Sequence, residues 1–314
     1  MRVLFSFPGQ GAQVPGMLSK LPDVRETRNA LAKACVVLGH DPLMHETADA
    51  LQSTVSVQLC LLIAGVAMAR TLMAEGAVPD MVAGMSVGAF PAAVVAGVLD
   101  YEAALELVAL RARLMEEAFP AGYGMTAVTG LGLSRMEALV DQVNEPESPV
   151  FVANVNGEQQ IVIAGSDEAM AAVGQLALMN GAARCERLKV SVPSHCELLE
   201  PVAVALRRAA ATMSFHRPRI DYLSSSAARL LNRPDAICHD LVTNVARRVN
   251  WADTIELAWE RGARLVVEMP SGSTLTALSQ KAFAEGRALA SDGCRLDTIG
   301  TLVRRSRGSG LGVC

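Results

Sequence analysis

Aromatic residues are scarce in this chain: they make up 4% of its 314 residues, and charged residues only 19%. With a formal charge of −4, it has neither the basic stripe nor the aromatic platform of a nucleic-acid binder, which excludes that class. Its seven cysteines are scattered and form no Cys-x-x-Cys pair. That pattern excludes a zinc ribbon or a disulfide framework, predicts no metal site, and reads as reduced thiols in the cytoplasm. Long, clean apolar runs are missing too. The longest, 55–69, is interrupted by Gln58 and ends at Arg70, so a buried helix is expected and no membrane span. The apolar stretch at 3–7 stops at Pro8-Gly9, too early for a signal peptide. What the chain has in quantity is Ala, Val, Leu and Met. At 51% hydrophobic, it buries a large, closely packed core.

Strand-like and helical patterns alternate along the first third. A strand is expected at 3–7, followed by the turn Pro8-Gly9-Gln10-Gly11-Ala12-Gln13. Helices are expected over 23–39, 47–75, 87–97 and 101–118, with a strand at 80–83. This alternation predicts a parallel sheet. From Gly122-Tyr123-Gly124 the texture changes. Strands at 125–130, 150–154, 160–164 and 184–190, with helices at 134–144 and 167–180, give a β-α-β-β-α-β series. That is the order of a ferredoxin-like unit. The expected organisation is an α/β core over 1–122 and 191–314, with an inserted ferredoxin-like α+β subdomain over 123–190. The second core segment should carry helices at 197–213, 235–248 and 252–261, a strand at 265–268 and a loose tail over 304–314.

Gly84-Met85-Ser86-Val87-Gly88 lies between an apolar strand and an Ala-rich helix. A serine on so sharp a turn needs neighbours without a Cβ, so that the turn closes and Oγ stands clear. Ser86 is therefore the candidate nucleophile for acyl transfer through a serine ester. An ordinary glycine-flanked βα turn is the plainer alternative. Of the five histidines, His195 is the candidate base. It follows Val190-Ser191-Val192-Pro193-Ser194, where the chain re-enters the core at a strand end, and the order Ser86 then His195 fits a hydrolase-like fold. His40, His45, His216 and His239 are expected at the surface. An oxyanion needs preorganised donors: the Val87 amide directly after the nucleophile, and an amide of the Gly-rich turn at Gln10. Arg111 lies on a strongly apolar helix, where it either snorkels to solvent or faces a buried anion. A bidentate pair with a carboxylate there would select a dicarboxylic acyl group.

Five motifs stand in a fixed order: 7–13, 84–88, Arg111 before Leu114-Met115-Glu116-Glu117-Ala118, 190–196, and 268–276. Together they resemble the malonyl-CoA:acyl-carrier-protein transacylases over roughly the whole chain. The resemblance implies transfer of malonyl from CoA to the thiol of a phosphopantetheine-type group on an acyl-carrier protein, with no bound cofactor. It implies Ser86 as nucleophile, His195 as base and acid, Gln10 and Val87 as oxyanion donors, and Arg111 as partner of the malonyl carboxylate. Gln58 and Asn156 match pocket residues, and Asn244 matches the position whose main-chain carbonyl orients the histidine. Met85 stands where the family usually has histidine, Ala89 where it has glutamate, and Pro270-Ser271-Gly272-Ser273 where it has Gly-Pro-Gly. These departures resemble the malonate decarboxylase epsilon subunit, which implies a carrier subunit and other malonate decarboxylase subunits as partners. A transacylase of fatty-acid or polyketide synthesis, a serine thioesterase or esterase, and an inactive docking subunit are the alternatives.

Overall fold

A computed structural model describes residues 1–119, 121–283 and 285–308. The chain opens with β1 (Arg2–Phe7), α1 (Arg25–Leu38), α2 (Thr54–Ala74) and β2 (Met81–Gly84). Next come α3 (Ala89–Val95) and α4 (Tyr101–Ala118). A middle segment holds β3 (Tyr123–Thr129), α5 (Leu133–Val143), β4 (Val150–Gly157), β5 (Gln160–Ser166), α6 (Asp167–Met179) and β6 (Arg184–Arg187). The chain continues through α7 (Glu200–Ala210), β7 (Asp221–Ser224), β8 (Arg229–Leu231), α8 (Pro234–Thr243) and β9 (Val249–Asn250). It closes with α9 (Trp251–Glu260), β10 (Ala263–Glu268), α10 (Thr274–Ala282), β11 (Arg287–Ala290) and α11 (Leu296–Gly308).

The larger sheet has the order β11-β10-β1-β2-β7-β8. Its pairs are parallel except β7 with β8, which is an antiparallel hairpin; the expected parallel sheet is therefore mixed at one edge. β1 sits at its centre as Val-Leu-Phe-Ser-Phe, buried on both faces, as strands covered by helices on either side must be. The second sheet, β6-β3-β5-β4-β9, carries α5 and α6 against it and has the ferredoxin-like strand order. Its last strand comes from elsewhere in the sequence. Val249 and Asn250 pair in parallel with Asn154 and Val155. Asn250 also donates its N–H to Ser225 O at 2.7 Å and its Nδ2 to Ser226 O at 2.9 Å. One dipeptide thus hydrogen-bonds the smaller sheet to the turn between β7 and β8 of the larger.

Several element boundaries differ from expectation. The helix expected over 47–75 starts at Thr54, because Ser53 caps it through Oγ to the Val55 N–H at 3.2 Å. At 21 residues α2 is long and apolar enough to cross a membrane by length and composition. It is buried nearly all round, which is the signature of a core helix in a folded domain. The strand expected over 184–190 stops at Arg187, an exposed residue whose guanidinium folds back along the sheet edge and donates to Tyr123 O at 2.7 Å and Met125 O at 3.0 Å. Residues 190–192 are accordingly loop. The helix expected over 235–248 ends at Thr243 and gives way to a 3₁₀ turn over Asn244–Ala246. Of the tail expected to be loose, 304–308 is helical, and 309–314 lies outside the described residues.

Candidate active site

The serine turn is forced by backbone proximity. A Cβ on Gly84 would lie 2.0 Å from the Gly88 carbonyl, and one on Gly88 would lie 2.2 Å from Phe7 O. No side chain fits at either position. Between them Ser86 has φ 55, the left-handed region that costs a non-glycine residue about 1 kcal/mol or more. The strand ladder holds it there: Met85 N–H donates to Phe7 O at 2.9 Å, and Gly88 N–H to Met85 O at 2.9 Å. Ser86 consequently projects at the C-terminal end of β2, where open α/β sheets place their ligands. The turn carrying Gln10 follows β1 directly alongside, and Gln10 Nε2 donates to Thr54 Oγ1 at 3.4 Å.

His195 also has a positive φ, 67, and is buried. Its main-chain N–H donates to Val245 O at 2.8 Å. Its Nδ1 lies 2.7 Å from Asn244 O and 3.2 Å from Arg247 O. Two carbonyls can only accept, so Nδ1 carries the proton and Nε2 keeps its lone pair. The early end of α8 makes this possible, because a carbonyl leaving the helical ladder is free to accept from a side chain. Burial, and then the nearby Arg111 cation, push the imidazole down to about 4; its carbonyl bonds oppose the shift. At neutral pH the ring is uncharged, the form a general base requires.

Arg111 comes from α4 and is buried. One guanidinium nitrogen donates to Gln58 Oε1. The other reaches Ser86 Oγ at 3.2 Å and Asn244 Oδ1 at 3.5 Å. Nε has no partner. Among the described residues no carboxylate pairs with this cation. Burial lowers its pKa to about 9, which leaves it charged at neutral pH. A buried charge without a counter-ion is costly. Its only acceptors among the described residues are the neutral oxygens of Gln58, Ser86 and Asn244.

Ser86, Val87, Gln10, Gln58, Arg111 and His195 line one cleft of about 520 Å³ between the two sheets. Asn156 closes it from β4. Asn244 stands behind, joined to the cleft through His195 and Arg111. A larger cavity, about 840 Å³, lies against Trp251 and Trp259 and shares Asn156 with the cleft, but contains none of Ser86, His195 or Arg111. The chemistry belongs to the smaller one.

With this geometry in place, comparison with known proteins is direct. The acyl transferase domain family matches residues 4–311. The chain belongs to that family. The malonyl CoA-acyl carrier protein transacylase of Escherichia coli K12 is 35% identical over 288 residues, 88% of this chain and 91% of that protein. The structure of the Coxiella burnetii malonyl CoA-acyl carrier protein transacylase superposes with a TM-score of 0.92 at 31% identity, covering 97% of this chain and 98% of that one. A type II PKS malonyl-transacylase, solved in complex with its acyl-carrier protein, gives a TM-score of 0.91 at 32% identity over 97% and 100% of the two chains.

Two features of this acyltransferase escaped the sequence reading. Asn154, buried on β4, faces the same cleft as Asn156, and the Oδ1 atoms of both lack a partner. Two asparagines at i and i+2 in an otherwise apolar strand form a polar stripe on one face, and that spacing was the available signal. The second is His45, expected at the surface but half-buried: its Nδ1 lies 2.8 Å from Ser56 Oγ and its Nε2 lies 2.8 Å from His40 Nε2. The acyltransferase cleft takes no part in that contact.

Proposed function

We propose that the protein is a malonyl-CoA:acyl-carrier-protein transacylase that works through a malonyl-serine. The observation that carries this reading is the buried, unpaired Arg111 cation 3.2 Å from Ser86 Oγ. An acyl group that places its carbonyl at Ser86 and, beyond one methylene, a carboxylate supplies the missing counter-ion. A neutral acetyl group does not.

His195 Nε2 takes the Ser86 proton as Oγ attacks the thioester carbon. The Gln10 and Val87 amides hold the oxyanion, and losing one such donor costs about 2.7–4 kcal/mol of barrier. The C–S bond breaks, and the CoA sulfur leaves with the proton from His195. A carrier thiol then gives its proton to His195 and attacks the malonyl-serine. Collapse returns the proton to Ser86 Oγ and releases malonyl-carrier. Transfer to the carrier requires that water be kept from the ester in the interval. Met85, Ala89 and the 270–273 stretch support a finer placement, as the epsilon subunit of malonate decarboxylase, with that complex's carrier subunit as acceptor.

The test is intact-protein mass after mixing wild type and Ser86→Ala with malonyl-CoA, followed by a phosphopantetheinylated carrier. A malonyl adduct on wild type alone, discharged by carrier, is expected. Discharge by water without carrier would make the protein a thioesterase, and no adduct would remove the covalent mechanism. Faster discharge by a malonate decarboxylase carrier than by a fatty-acid carrier is the outcome expected of the finer placement.

A further inference from the structure

The Arg111–Ser86 contact points to a role for Arg111 before any substrate is bound. We propose that the guanidinium is a latch on the nucleophile, released by the carboxylate of the incoming acyl group, so that selectivity is exerted on the rate of acylation as well as on binding. The inference rests on the transacylase reading above.

In the free protein every acceptor that Arg111 uses is neutral: Gln58 Oε1, Ser86 Oγ and Asn244 Oδ1. Gln58 is itself weakly held, its Nε2 donating only to Met115 Sδ at 3.4 Å. A carboxylate offers the guanidinium what these neutral oxygens do not, a full opposite charge and two oxygens matched to its fork. A carboxylate arriving beside Nε and the terminal nitrogens therefore takes the guanidinium from Ser86. The Oγ lone pair that had accepted from Arg111 becomes available for attack, and the hydroxyl proton can align on His195. The anion also neutralises the charge that weakens His195 as a base. A neutral acyl group does neither. It meets a serine still engaged by the cation, beside a depressed base.

If the carboxylate is a key separable from the acyl group, it can be supplied in pieces. The probe is formate, with acetyl-CoA as acyl donor; acetyl and formate together span the malonyl group. Ser86 Oγ displaces CoA from acetyl-CoA, giving acetyl-serine and free CoA, and formate is not consumed. Wild type is mixed with acetyl-CoA at a fixed chloride-plus-formate concentration, and CoA release is followed in a single turnover. Formate should raise the rate saturably, by about five-fold, the ratio expected from releasing one modest hydrogen bond. Arg111→Met should acetylate faster than wild type without formate and should not respond to it. A wild-type rate unchanged or slowed by formate overturns the latch, as does equal acceleration by chloride. Malonyl-CoA run in parallel separates the two claims. A malonyl adduct without a formate effect refutes only the latch, whereas absence of any malonyl adduct refutes the transacylase reading itself.

Discussion

The neutrality of His195 makes a prediction about stability as well as rate. In the unfolded chain its imidazole titrates near the ordinary 6.5, whereas in the fold burial and Arg111 hold it down at about 4. Between those values the unfolded chain binds a proton that the native protein refuses, so stability falls as pH drops from 6.5 and levels off near 4. At 1.36 kcal/mol for each tenfold change in proton affinity, the loss is about 3 kcal/mol. His195→Asn removes the titration while keeping a side chain that tolerates positive φ and an amide that can donate to Asn244 O. Urea unfolding of both proteins at intervals from pH 7 to pH 4 isolates the contribution, since every other group is shared. The wild type should lose about 3 kcal/mol more than the variant over that range. Parallel pH profiles would show that His195 is not held neutral by its surroundings, and the assignment of its Nε2 as a ready base would fall with them.

The same shift predicts that the acidic limb of kcat/KM for acylation lies near pH 4, well below an ordinary histidine; a limb near 6.5 in a rate–pH profile would contradict it. Arg111→Met should lower kcat/KM for malonyl-CoA by roughly 10- to 150-fold, the worth of a charge-assisted bond, as read by CoA release. Gly88→Ala would drive its Cβ to 2.2 Å from Phe7 O. Thermal unfolding should show it destabilised by about 3 kcal/mol or more, and a variant within 1 kcal/mol of wild type would mean the turn can open. Asp240, on the buried face of α8, accepts from Tyr222 at 2.9 Å and Ser224 at 2.6 Å. Asp240→Ala should cost about 3 kcal/mol in urea unfolding by leaving these hydroxyls unpaired.

How much of this could be read beforehand depended on whether the determinant was local. The serine turn was legible because the pattern is short and Gly84 answers to Gly88 only four residues away, although Gly88 itself answers to the distant Phe7. The ferredoxin-like order was legible because alternation of strand and helix is a property of consecutive residues. β9 was not, since two residues carry no period and their partner lies almost a hundred positions earlier. The end of α8 was missed for a related reason. Residues 244–248 remain compatible with a helix, and what ends it is the packing that gives Asn244 O to His195. Arg111 was recognised as anomalous on its apolar helix, but only the fold shows that its neighbours are all uncharged.

The Val249–Asn250 strand also bears on how such proteins can be recombined. A graft of residues 123–190 from a relative would import four strands of the smaller sheet and leave behind the dipeptide that completes it beside Asn154. The imported β4 would then meet a foreign edge where Asn154 and Asn156 line the cleft. The heritable unit is discontinuous: chimeras that carry 249–250 along with the insertion should retain activity, and those cut only at its two obvious junctions should lose it.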